Sequence, residues 1–232
     1  MNEISTTIIG VHTYNPNEKN WREVMLGKPL YLSGRLTKAV SVLLEETDAG
    51  HEAELTMFMS SVTGPDGSNE AEAAAELMFS NVPEMMTYSR IHPIFDSYSV
   101  AEIEDTLSES FIMVDNADVV RPGNTTQFML SNEQWIDLHL GGGCGKLILI
   151  SSCDHVPRVY NEAIKHFRDR PEIVGALDVQ ASLYPYGPKS DVIIFEAPLS
   201  SQMATQYWPK LMGAIKDPQK RIQLENLLLG FT

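Results

Sequence analysis

The sequence has little cysteine, no long apolar run and no recognisable leader, and each shortage excludes a class of protein. Its two cysteines, Cys144 and Cys153, cannot form a disulfide framework and show no metal-ligand spacing. No segment approaches the roughly 20 apolar residues of a membrane-spanning helix. The start, Met1-Asn2-Glu3, lacks the basic and apolar regions of a signal peptide. We therefore expect a cytoplasmic protein that does not enter a membrane.

Basic residues are also scarce. The chain has 17 lysines and arginines against 31 acidic residues, which gives a formal net charge of -14. Such a charge opposes non-specific attraction to nucleic acid or to an anionic membrane, although a local basic pocket remains compatible with it. The 232 residues, of which 43% are hydrophobic, are enough for one domain with a substantial core.

Short β-favouring runs alternate with segments of helical periodicity, which is typical of βαβ units. The runs predict strands at 6–11, 54–61, 91–95, 111–114, 147–150, 179–183 and 192–195. The periodic segments predict helices at 35–47, 69–78, 97–107, 127–140, 156–167 and 217–229. We therefore predict an α/β, Rossmann-like three-layer fold with a mostly parallel central sheet, in a single domain over 1–232.

The segment 147–158 is the strongest indication of a site. Four apolar strand residues lead into Ser151, Ser152 and His155 at the start of a helix. In open α/β sheets ligands bind where strands end and helices begin, and a histidine there can act as a general acid or base. The alternative is that Asp154 caps the helix and His155 is a partly buried polar residue.

Charged residues at three helix starts are the next candidates. Arg158 suits a phosphate or carboxylate by its guanidinium geometry, or else forms an exposed ion pair with Asp154. Arg35 and Glu70 open two other helices and can reach the same rim, or else each is a surface charge. A serine hydrolase is disfavoured because no Gly-x-Ser-x-Gly segment occurs. The glycine-rich stretch 141–146 precedes its strand and lacks phosphate-loop spacing, and no metal-ligand set is visible.

Several of these segments together resemble one family. The strand and His-x-Pro-Arg stretch at 148–158 is similar to the signature of the YdcF-, SanA- and ElyC-like family of unknown function. Arg35-Leu36 with Ala39, and Ser60-Ser61 with the downstream segment 69–73, follow the family's order. The resemblance covers about 6–168 and leaves about 169–232 as a C-terminal α/β extension. Ser61-Val62 replaces the family's Gly-Gly. Asn124-Thr125 is the best match to its Ser-x-Asn-Thr helix start, and Asp96-Ser97-Tyr98-Ser99 is a competing alignment.

The resemblance implies a strand-end pocket for a small anionic, nucleotide-like ligand, with S-adenosylmethionine or a nucleotide as the possible cofactor. His155 and Glu70 are the catalytic candidates. The ligand-binding candidates are Arg35, Ser60, Ser61, Asn124, Thr125, Ser151, Ser152 and Arg158. The alternative is a catalytically inactive scaffold that acts through protein partners, which the substituted glycines and eleven methionines favour.

Overall fold

The computed structural model of the protein describes residues 6–28, 32–58, 69–112, 145–153 and 155–184. All of these belong to one compact unit. The predicted strand at 192–195 and the predicted helices at 127–140 and 217–229 lie outside the described residues, as does Asp154.

Five of the strands form one all-parallel sheet, in the order β5-β4-β1-β6-β7. They are β1 (Thr6–His12), β4 (Glu52–Phe58), β5 (Phe111–Ile112), β6 (Lys146–Ser152) and β7 (Leu177–Ser182). Two further short strands, β2 (Gly27–Lys28) and β3 (Leu32–Ser33), form a separate antiparallel pair.

The helices cover both faces of the sheet. They are α1 (Trp21–Leu26), α2 (Arg35–Asp48), α3 (Glu70–Phe79), α4 (Val82–Met86), α5 (Val100–Ser110), α6 (Val156–His166) and α7 (Pro171–Ala176). A capping box closes the start of α3, where Asn69 and Glu72 each accept a backbone hydrogen bond from the other, as its sequence predicts.

Alternate residues of β1 and β6 pack into two different cores. Ile9, Val11, Ile148 and Ile150 pack with α1 to α5, whereas Ile8, Leu147 and Leu149 pack with α6 and α7. This period of two places one helical layer on each side of the sheet. The predicted α/β, Rossmann-like three-layer fold is confirmed.

The strand predicted at Ile91–Phe95 is wrong. Pro93–Ser97 forms a 3-10 helix in which Pro93 occupies the start. A proline lacks the N–H that a central strand needs, and its fixed φ suits the first helical position. Phe95 is buried in the core that contains α2. The apolar run therefore contributes to this core from a 3-10 helix and not from a strand.

The strand order reverses direction between β1 and β6. The chain passes from β1 to β4 and β5 on one side, and the later strands β6 and β7 lie on the other. In open α/β sheets such a reversal leaves a crevice outside the carboxyl ends of the two strands. This topology points to the ends of β1 and β6 as the place for a site.

The last turn of α2 contacts the amino ends of β1 and β6, opposite their carboxyl ends. Glu46 accepts hydrogen bonds from Thr7 Oγ1 at 3.0 Å and from Lys146 Nζ at 2.7 Å, and its Oε2 lies 2.8 Å from His51 Nδ1. We call these four residues the amino-edge cluster. Burial opposes ionisation, but the bonds from Lys146, His51 and Thr7 outweigh it and lower the pKa of Glu46 below its ordinary value of 4.5.

Replacing Glu46 by glutamine should weaken the fold because it removes the charge on which these bonds converge. We expect a loss of about 1–2 kcal/mol at pH 7, measured by urea unfolding. Since the folded pKa of Glu46 is lowered, its contribution is present above 4.5 and disappears as the pH falls through the folded value. The difference between wild type and Glu46→Gln should therefore shrink in acid. Glu45→Gln, at the exposed neighbouring position, is the control and should stay near the wild type at every pH.

Gly34, which precedes α2, lies against the end of α1. A Cβ at this position would come within 2.5 Å of the backbone atoms Gly27 N, Leu26 C and Met25 C. The Gly34 N–H also donates to Leu26 O at 3.0 Å. Because these three neighbours are backbone atoms, they cannot move aside as the end of a flexible side chain could.

Gly34→Ala should therefore lower the free energy of unfolding by about 2–3 kcal/mol. Gly175→Ala is the matched control, because a Cβ at this exposed position in α7 would meet nothing within 4 Å. That change should leave the stability unchanged or raise it by up to about 1 kcal/mol. Urea denaturation of both variants measures the two effects, and equal losses would contradict the close backbone contact.

Candidate functional site

Polar residues end both strands that flank the topological reversal. His12 is the last residue of β1 and precedes Thr13, and Ser151 and Ser152 end β6. His155 follows on the same side and is the N-cap residue of α6. We call these five residues the carboxyl-edge site. Apart from the half-buried His155, they are at most 5% exposed.

Arg35, the first residue of α2, ties the two strand ends together. It is 1% exposed. Its Nε donates to Ser152 Oγ at 2.9 Å, and its Nη1 donates to the carbonyl oxygens of His12 and Thr13, both at 2.9 Å. A cation at a helix N-terminus opposes the helix dipole. The charge-assisted bonds offset that cost and fix the guanidinium between β1 and β6.

Glu70 brings a third element to the same place. It is the first residue of α3 and is 3% exposed. Its Oε2 accepts a hydrogen bond from Thr13 Oγ1 at 3.1 Å. A carboxylate is favoured at a helix N-terminus. Glu70 therefore places a buried acidic group beside Thr13, the residue that follows β1.

His155 is oriented by two neighbours. Its Nδ1 lies 2.9 Å from Ser151 Oγ. Its ring meets that of His12 edge to face, with the centroids 5.7 Å apart and the planes inclined by 68°. The backbone N–H of His155 also donates to Ser152 O at 2.8 Å. The imidazole is therefore held at the start of α6 between the ends of β1 and β6.

The site spans both faces of the sheet because of strand periodicity. Ser152 bonds to Arg35 on the face that carries α2, whereas Ser151 contacts His155 on the face that carries α6. His12 follows the parity of Ile8 and its ring accordingly meets His155 on the α6 side. One pair of strand ends thus presents polar groups in two directions.

Five of the residues predicted from sequence come together here: Arg35, Glu70, Ser151, Ser152 and His155. Arg158 belongs to the first turn of α6, but its side chain lies outside the described part of the structure. The remaining candidates, Ser60, Ser61, Asn124 and Thr125, lie outside the described residues and stay predictions. The role of Arg35 in holding an anion also stays a prediction, since the bonds above go to protein oxygens.

Sequence reasoning missed three residues at this edge. His12 and Thr13 follow the apolar run that predicts β1, and Ser182 ends β7 in register with Ser152. All three are buried. The usable signal is the one that identifies Ser151 and Ser152, namely polar residues directly after a parallel strand.

Metal-ligand clusters and membrane-spanning helices both bear on the class of site. Within these ranges no group of three or more histidine, cysteine, aspartate and glutamate side chains is arranged to hold a metal ion. Among the described helices, none combines the length and apolar character that crossing a bilayer requires. Comparison of the chain with protein-family models, with curated proteins and with solved structures found no match.

Arg35→Lys should destabilise the protein because an ammonium group cannot reach three acceptors in the planar arrangement of a guanidinium. We expect a loss of about 2–4 kcal/mol in the free energy of unfolding, measured by urea denaturation. The control is Arg22→Lys, whose side chain is 49% exposed and contacts Asn81 and Glu84 at the surface. It should cost less than about 1 kcal/mol. Equal effects would show that Arg35 does not hold the strand ends.

Proposed function

We propose that the carboxyl-edge site binds a small anionic, nucleotide-like molecule, with a nucleotide or S-adenosylmethionine as the ligand class. The observation that carries the proposal is the convergence of Arg35, Glu70 and His155 on the strand ends at the topological reversal. The ends of strands at such a reversal are where open α/β sheets place their ligands.

An anionic ligand needs a local source of electrostatic attraction at this site. The net charge of -14 repels anions at long range. The amino end of α6, an 11-residue helix that begins at Val156, presents the positive end of its dipole beside the imidazole of His155. An anionic group bound there gains from the helix and from hydrogen bonding to the imidazole.

In a reaction at this site, His155 is the acid–base group. Ser151 fixes the orientation of the ring through Nδ1 and thereby the direction of the other nitrogen, and its hydroxyl can donate to or accept from Nδ1 in either tautomer. Ser151 is 0% exposed, which suits an orienting role and not that of a nucleophile. Glu70 is the second catalytic candidate and lies at the end of β1, where it contacts Thr13.

The family resemblance supports the same ligand class. It implies a pocket that includes Arg35, Glu70, Ser152 and His155, and these residues converge in the described structure. Membership in the YdcF-, SanA- and ElyC-like family is part of the proposal, as is a cytoplasmic location.

The test is thermal unfolding of the full chain with adenosine and guanosine nucleotides and S-adenosylmethionine at millimolar concentration. A ligand at 100 times its Kd stabilises the native state by about 2.7 kcal/mol, which raises the Tm of a protein of this size by roughly 5–10 °C. His155→Gln should lose at least tenfold in affinity and therefore at least about half of that rise. His51→Gln, in the amino-edge cluster at the other edge of the sheet, is the control and should keep the full rise relative to its own Tm.

A Tm that does not change with any ligand, in a protein that unfolds cooperatively, would contradict the proposal. It would favour the alternative of a catalytically inactive scaffold that acts through protein partners. A rise that His155→Gln leaves intact would place the ligand elsewhere on the chain.

A further inference from the structure

The carboxyl-edge site contains two histidines from different elements. His12 comes from β1, the middle strand of the described sheet, and is 1% exposed. His155 precedes α6 and is half-buried. Their ring centroids are 5.7 Å apart, so the charge state of either ring affects the other.

We propose that His12 and His155 form one acid–base pair, in which His12 positions the ring of His155 and the two rings take up protons in separate steps, His155 first. The proposal deepens the proposed function, on which its ligand chemistry rests, but the pairing itself requires no ligand.

Two observations make His12 the neutral member of the pair. It is almost completely buried, and removing an imidazolium from water is costly. In addition, the guanidinium of Arg35 donates to the His12 carbonyl oxygen at 2.9 Å, so a permanent positive charge lies at the backbone of this residue and disfavours a second one on its ring. The acidic group that α3 brings to this edge, Glu70, contacts Thr13.

His155 is then the member that exchanges its proton. It is the more exposed ring, and Ser151 and the edge-to-face contact with His12 fix its orientation. A second proton would place two like charges within 6 Å, which coupled sites avoid by titrating in separate steps. The pair thus keeps one orientation in both of its useful protonation states.

The experiment follows the imidazole signals of the ligand-free full chain by NMR between pH 5 and pH 9. The signals are assigned by single substitutions among the six histidines of the chain. In the wild type, the signals of His12 and His155 should each show a second inflection at the midpoint of the other ring. In His155→Gln, the midpoint of His12 should rise by on the order of one pH unit, because the neighbouring charge is gone.

His12→Phe keeps a ring in the same place but cannot take a proton. In this variant the titration of His155 should become a single step. His51→Gln is the matched control and should leave both curves as in the wild type. If His12→Phe does not fold, the shift of His12 in His155→Gln still decides the question, because that substitution is at the half-buried position.

Single, independent titrations of the two rings in the wild type, unchanged by either substitution, would overturn the pairing. This result is separate from the ligand test, since the titrations use no ligand. Coupled rings without any nucleotide-induced rise in Tm would retain the pair and reject the proposed ligand class. Uncoupled rings together with a nucleotide-induced rise in Tm would reject the pair and retain the proposed ligand class.

Discussion

The bonds of Arg35 to the ends of β1 and β6 are the constraint on which the carboxyl-edge site depends. A buried guanidinium is tolerated only where its N–H groups meet acceptors. The carbonyl oxygens of His12 and Thr13 and the hydroxyl of Ser152 provide them. Since two of these acceptors are backbone atoms, the arginine fixes where β1 ends and how far β6 extends beside it. The position of His155 follows from that arrangement.

One helix fixes both edges of these two strands. The first residue of α2 bonds to the carboxyl ends of β1 and β6, and Glu46 in its last turns bonds to Thr7 and Lys146 at their amino ends. From Arg35 to Glu46 the helix rises about 17 Å, and the strand from Thr7 to Thr13 rises about 20 Å. These lengths match closely enough for one helix to span the strand. The charged residues at its two ends therefore contact both ends of β1 and β6.

Local patterns predict the elements of this frame well. The β-favouring run before Ser151 becomes β6, the periodicity after Gly34 becomes α2, and Asn69 with Glu72 forms the capping box of α3. These signals lie within a few residues of sequence and reflect burial and capping. The apolar run at Ile91–Phe95 misleads because its composition fits a strand while Pro93 cannot join one. The short helices α1, α4 and α7 have too few residues to show a period.

The pairing of elements could not be predicted in the same way. The order β5-β4-β1-β6-β7 depends on contacts between residues far apart in sequence, and the bonds from Arg35 to backbone carbonyls have no counterpart in residue type. The convergence of Arg35, Glu70, Ser151, Ser152 and His155 could be expected only in outline, from their places at strand ends and helix starts.

His12 shows which part of the site the local sequence pattern could not predict. The apolar pattern ends at Val11, so the predicted strand stops at that residue and does not include His12. The structure extends β1 by that one residue, and the parity of Ile8 then places the imidazole on the α6 side, where it meets His155. A one-residue difference in the end of a strand therefore decides which face of the sheet receives a titratable ring. Here it converts a single histidine at a helix start into a contact between two histidines, and the chemistry of the carboxyl-edge site has to be argued from both.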